Sequence, residues 1–208
     1  MDIKRLDNGL FGSNTWLVCE AGFCTVIDCG ASAEDILSAA KTMSCRISHI
    51  ILTHGHVDHT CGAAGVIAST GARLCLHRLE DPLYRDASLN GCQMFGLPHA
   101  DPFPMPDCLL EDGDLLETGG VAFRILHTPG HTAGSICMVA GNRIFSGDTL
   151  FRHGIGRYDL PTGDGRTLIR SIREKLYVLD GATVVHCGHG PDTRIGEERD
   201  HNPYVKIE

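Results

Sequence analysis

Residues 53–60 read THGHVDHT, so His54, His56, Asp58 and His59 place three imidazoles and a carboxylate within six positions. On an extended or turning segment, side chains two positions apart can converge on one point, while a neighbouring pair serves a second point. Imidazole nitrogen and carboxylate oxygen are the donors that suit zinc, iron or manganese. A solvated loop that happens to be rich in histidine is the bland alternative. Against it stands the apolar run Ile47–Leu52, which ends where the motif begins.

Four more segments repeat this grammar, each an apolar run that stops at a glycine-containing turn with a donor side chain. They are Val26–Gly30 with Asp28, Arg124–His131 (RILHTPGH), Ile144–Asp148 (IFSGD) and Val184–His189 (VVHCGH). One such strand end is common; five in one chain imply a single site lined by strand termini. Glycine lets the backbone turn sharply enough to aim the donor back into a pocket.

The elements that must position these residues follow from periodicity. Strands are expected at Thr15–Cys19 and Cys24–Asp28 as a hairpin, at Ile47–Leu52, at 72–77, at Leu115–Glu117, Val121–Leu126, Ser135–Val139 and Arg143–Phe145 as a meander, and at Thr183–His186. Helical spacing predicts helices over 33–43, 60–69 and 165–178, and 78–90 as a helix or irregular lid. Residues 91–114, with Pro98, Pro102, Pro104 and Pro106, and residues 147–164 are expected to be loops, and the tail beyond His189 to be irregular. Two strand-rich halves, each finished by helices, predict two sheets face to face with helices outside, in one domain spanning 1–208.

The chain has 208 residues, a formal net charge of -8, twelve histidines and ten cysteines. The acidic balance argues against nucleic-acid or anionic-membrane partners. The cysteines are scattered, form no Cys-x-x-Cys pair and sit mostly in apolar runs, where a thiol behaves as a small core hydrophobe. With no signal-like N-terminus and no apolar run of membrane-spanning length, a cytoplasmic protein is expected.

Taken together, THGHVDHT, TPGHTAGS, SGDTLF and CGHGP resemble the metallo-β-lactamase superfamily, and within it the glyoxalase II-like short hydrolases, over about Leu10 to Pro203. The resemblance implies an α/β fold, a four-layer αββα sandwich. It implies two divalent metal ions, zinc first with iron or manganese as alternatives. His54, His56 and His131 would bind one, Asp58, His59 and His189 the other, and Asp148 would bridge them. Asp28 would orient a ligand from behind, and His127 and His186 are second candidates for such support. His49, His77, His99 and His201 are assigned to packing or surface.

The chemistry implied is attack of an activated water on a carbonyl carbon, with Asp58 holding the nucleophile as well as ligating. An aspartate at 148 favours the glyoxalase II-like group over classical zinc β-lactamases, hence a small acyl thioester such as S-lactoylglutathione as substrate. The group's full-length members carry a C-terminal helical domain that helps hold glutathione, whereas this chain ends 19 residues after His189. Substrate contacts are therefore expected from loops 91–107 and 151–164: Met94, Phe95, Leu97, Phe103 and Met105 as apolar lining, and Arg152, His153, Arg157 and Tyr158 as a polar wall. Arg157 and Asp159 could equally brace each other. A persulfide dioxygenase with one iron on His54, His131 and Asp148 is the rival reading. Lactonase activity and a non-catalytic metal-bound scaffold are the remaining alternatives.

Overall fold

Alternation of inward and outward side chains builds the centre of the molecule. In Thr15–Glu20, Trp16 and Val18 face one apolar cluster while Leu17 and Cys19 face another, as a strand buried on both sides requires. The computed structural model describes residues 1–97 and 103–206; Pro98, His99 and Pro102 lie outside the described residues.

The strands, in chain order, are β1 (Asp2–Leu6), β2 (Thr15–Glu20), β3 (Phe23–Ile27), β4 (Arg46–Ile51), β5 (Arg73–His77), β6 (Cys108–Leu110), β7 (Leu115–Thr118), β8 (Val121–His127), β9 (Ile136–Ala140), β10 (Arg143–Gly147), β11 (Leu150–Phe151), β12 (Gly154–Ile155), β13 (Val184–Cys187) and β14 (Thr193–Arg194). Strands β1 to β6 form one sheet in sequence order, and the second runs β14-β13-β10-β9-β8-β7. Strands β3 to β6 are parallel, and β10 pairs in parallel with β13. The short ribbon β11–β12 stands apart.

The helices are α1 (Ala33–Thr42), α2 (Val57–Thr60), α3 (Ala63–Thr70), α4 (Asp81–Tyr84), α5 (Gly165–Ser171) and α6 (Ile195–His201). Helix α1 starts at Ser32, whose hydroxyl accepts from the Asp35 amide at 3.1 Å, with Glu34 and Asp35 in its first turn and Lys41 in its last. That arrangement suits the helix dipole. Helix α5 is capped in the same way by Asp164.

Three apolar clusters define the layers. Ile36, Ala39 and Val66 pack α1 and α3 on the outer face of the first sheet. Trp16, Ile27, Ile51, Phe123, Ile125 and Phe145 fill the space between the sheets. Leu168, Ile172, Leu176 and Ile195 cover the outer face of the second sheet. The order helix, sheet, sheet, helix is the four-layer sandwich expected from the sequence.

Several local expectations change. Residues 60–69 split into α2 and α3, only Asp81–Tyr84 of 78–90 is helical, and 165–178 passes from α5 into a π turn at Ile172–Leu176. The supposed loops contain β6 and the β11–β12 ribbon, and the tail folds into β14 and α6. Among the described residues no helix is long and apolar enough to cross a membrane. All ten cysteines are free thiols.

Candidate metal centre

Each donor stands where a strand ends. His54 to His59 follow β4, His131 follows β8, Asp148 follows β10 and His189 follows β13, so both sheets deliver to one edge. Donor atoms within 4.8 Å of one another form three groups: His54, His56 and His131; Asp58, His59 and His189; and, joining the two, His54, His59 and Asp148. His189 Nε2 lies 3.3 Å from Asp58 Oδ2 and 3.6 Å from Asp148 Oδ2. His59 Nε2 lies 3.3 Å from His189 Nε2. His56 Nδ1 and His131 Nε2 face each other at 2.9 Å.

The imidazoles are held from behind. Asp28, with its backbone in the left-handed region at φ 58°, accepts from the Thr53 amide, the Thr53 hydroxyl and His59 Nδ1, each at 2.8 Å. Because the Thr53 hydroxyl spends its proton on Asp28, it accepts from His54 Nδ1 at 3.0 Å. His131 Nδ1 donates to the Arg157 carbonyl at 2.6 Å. These bonds fix the tautomers of His54, His59 and His131, leaving Nε2 to face the cluster. Asp28 thus sits where an orienting carboxylate was expected.

Whether the residues suit a cation can be judged from their unmet needs. Among the described residues His54 Nε2, His56 Nε2 and Asp148 Oδ1 are buried without a hydrogen bond, a costly state for polar atoms. Burial, reinforced by neighbouring imidazoles, pushes His54 well below the usual histidine range and His56 down to about 3. Burial lowers His131 as well. All three are neutral at pH 7, the form in which imidazole ligates. Burial also works against charge on His59, but Asp148, Asp58 and Asp28 outweigh it and raise that group well above its ordinary value. Burial works against charge on the Asp148 and Asp58 carboxyls too, but His59 and His189 pull both down. The cluster therefore pairs lone nitrogen donors with carboxylates that demand positive charge. The fold and this donor set suit divalent metal ions.

One residue escaped the sequence reading. Glu80 is 1% exposed; its carboxylate accepts from the Gly55 amide at 2.9 Å, the Thr132 hydroxyl at 2.9 Å and the Gly134 amide at 2.8 Å. Gly55 lies between His54 and His56, and Thr132 follows His131, so Glu80 ties the two loops that carry the first donor group. Burial raises its carboxyl to about 7, against these three donors. No local motif announces such a contact, since its partners are 25 to 54 residues away.

The donors form the floor of a cavity of about 260 Å³ that exposes His56, Asp58, His131, Asp148 and His189. Its walls are Phe11, Val57, Leu89, Met94, Phe95, Leu160 and Pro161, with Arg157 at the rim. Of the four polar residues expected to touch substrate, only Arg157 lines it, and its guanidinium makes two bonds to Asp159, at 2.8 and 2.9 Å. His153 instead meets Glu197, with its amide on Glu198. The Tyr158 ring lies over Gly165, and Arg152 is exposed outside the lining. Phe103 packs against Tyr84 and Met105 against Arg85, while Leu97 is outside the lining. The other histidines also settle. His77 stacks on His127 at 4.1 Å, His127 donates to the Ala133 carbonyl, and His186 pairs with Asp192. His49 is half-buried beside Ser48, and His201 is exposed.

Known proteins share this sequence pattern and fold. Hydroxyacylglutathione hydrolase GloC of Haemophilus influenzae is 36% identical over 182 residues, covering 86% of either chain. The solved structure of BLEG-1, a B3 metallo-beta-lactamase, superposes with a TM-score of 0.92 at 33% identity over 99% of this chain and all of that one. TTHA1623, solved in a di-iron-bound form, gives a TM-score of 0.87 at 35% identity over 97% of this chain and all of that one. The model of the metallo-beta-lactamase superfamily matches residues 8–189, and the chain belongs to that superfamily.

Proposed function

We propose that the protein is a binuclear metal-dependent hydrolase of small acyl thioesters. The observation that carries this reading is the set of converging donor groups on the cavity floor, with buried nitrogen and oxygen atoms that have no hydrogen bond among the described residues. His54, His56 and His131 would hold one ion and Asp58, His59 and His189 the other, with Asp148 shared between them. When bound, two such ions supply Lewis acidity that lowers the pKa of water and stabilises a developing oxyanion.

The chain's own residues do the rest. Asp28 and the Arg157 carbonyl keep the imidazoles aimed through their back nitrogens. Asp58, whose side chain is 15% exposed on the cavity floor, would accept a hydrogen bond from the attacking water and so aim its lone pair at the carbonyl. Val57, Phe11 and Phe95 keep bulk water from the reacting centre, which strengthens every electrostatic contact there.

Support for a thioester comes from GloC, whose name specifies a hydroxyacylglutathione. Zinc is the first choice of metal, and iron gains support from the di-iron form of TTHA1623. The test is metal analysis of the purified protein with a panel of S-lactoylglutathione, a coenzyme A thioester, a lactone and a chromogenic β-lactam. Two metals per chain with thioesters turned over fastest is the expected result. One iron per chain with oxygen consumption on glutathione persulfide would establish a dioxygenase instead, and faster turnover of the lactam would overturn the substrate class.

A further inference from the structure

Phe11 holds its backbone at φ 56°, ψ 20°, a region that a bulky side chain occupies only when its surroundings enforce it. The surroundings are the site itself. Ser13 Oγ donates to the Asp58 carbonyl at 2.6 Å, the Asn14 amide donates to the Gly188 carbonyl at 2.7 Å, and the Leu10 amide to that of Gly30 at 3.0 Å. The turn is thus fastened to the segments that bear Asp58 and His189. Yet the ring it presents is 55% exposed. It stands on the cavity wall and meets Phe95, itself 47% exposed, edge to face at 4.9 Å.

Strain that placed an aromatic ring in the core would be explained by burial. Here it places one beside the reacting centre, where a bound molecule can cover it. Leu160 and Pro161 line the same cavity. Among the described residues, Arg157 is its one arginine or lysine, and Asp159 already occupies that guanidinium. Among the described residues the wall offers apolar area and no free arginine or lysine for a carboxylate.

We propose that Phe11 and Phe95 form an aromatic clamp that selects thioesters with an apolar acyl group, an aryl or a longer alkyl chain, over those with an anionic acyl group. This rests on the thioester-hydrolase reading above and narrows its substrate class.

The experiment uses metal-loaded protein and acetyl, hexanoyl, phenylacetyl and succinyl thioesters of N-acetylcysteamine, with kcat and KM read separately. Phenylacetyl and hexanoyl should exceed acetyl and succinyl in kcat/KM by about tenfold or more. Phe11→Ala and Phe95→Ala should each collapse that ratio mainly through KM. Both side chains are largely exposed, so circular dichroism and metal content should match the wild type. A preference for succinyl, or a ratio unchanged in both variants, overturns the clamp.

A second arm needs no turnover: calorimetric binding of the inert 2-phenylethyl and 2-carboxyethyl thioethers of N-acetylcysteamine. If no thioester is hydrolysed but the phenylethyl compound binds more tightly and Phe11→Ala removes the difference, the clamp stands and the thioesterase reading falls. If neither hydrolysis nor a binding preference is seen, both fall.

Discussion

Asp58 is the donor whose second task separates a catalytic centre from a merely structural one. Its carboxylate borders the cavity and accepts from His189, and Asn at this position would keep the shape while losing the charge. Asp58→Asn should therefore fold normally and, assayed at full metal occupancy, lose turnover by roughly 10²-fold or more. Near-wild-type rates with both metals present would remove Asp58 from the mechanism. Glu80 makes a different prediction, one about stability in the metal-free protein. Its carboxyl is raised from 4.5 to about 7, so between those values the folded chain keeps a proton that the unfolded chain has lost. The contribution is fully present below about 4.5 and is lost as pH rises through about 7, a difference of about 3 kcal/mol. Glu80→Gln removes this titration, so the stability advantage of wild type over E80Q should shrink by about that amount as urea melts are moved from pH 4.5 to 8. An advantage that stays flat or grows with pH would contradict the assignment.

At the scale of elements, the legible part of the sequence was the strand end. His54, His131, Asp148 and His189 each follow an apolar run, because a strand buried on both faces must be apolar and the site lies where burial stops. Elements without that contrast were missed. Strand β1 sets Lys4 and Arg5 side by side between Ile3 and Leu6 on a sheet edge, and α6 buries only Ile195 and Glu198 of IGEERDH, so neither shows an apolar period. Phe11 gave no signal either, since its role arises from a turn fastened to segments far along the chain. The turn after β13 carries an element-level prediction. A Cβ on Gly188 would stand 2.3 Å from Asp148 Oδ1 and 2.7 Å from the Gly147 carbonyl carbon, closer than packed atoms approach. Gly188→Ala must displace the Asp148 carboxylate or the β13 end. It should weaken metal binding at both donor groups while far-ultraviolet circular dichroism shows the sheets intact. Binding of two metals with wild-type affinity in this variant would show that the turn yields without moving Asp148.

For the whole molecule, the site is a joint between two sheets. The first sheet contributes the His54–His59 loop after β4, the second contributes His131, Asp148 and His189, and the donors meet at one edge with several of their atoms lacking a hydrogen bond among the described residues. Cations placed there would bond both halves of the sandwich at once and would bind the folded state alone, because no unfolded chain brings these four segments together. Stability then depends on metal by mass action, about 4 kcal/mol at a free concentration a thousand times the dissociation constant. For a chain of this length each kcal/mol moves the melting midpoint by about 2–4 °C. Complete chelation should accordingly lower Tm by roughly 10 °C, and restoring the metal should recover it. The fall should be smaller in Asp148→Ala, which lacks the carboxylate proposed to be shared by the two ions and so would begin with weaker binding. Metal analysis before and after chelation must accompany the melt. A midpoint that does not move once the metal is gone would mean that the apolar interior between the sheets, with Trp16, Phe123 and Phe145 at its centre, holds the sandwich closed unaided. The ions would then serve chemistry without contributing to the fold.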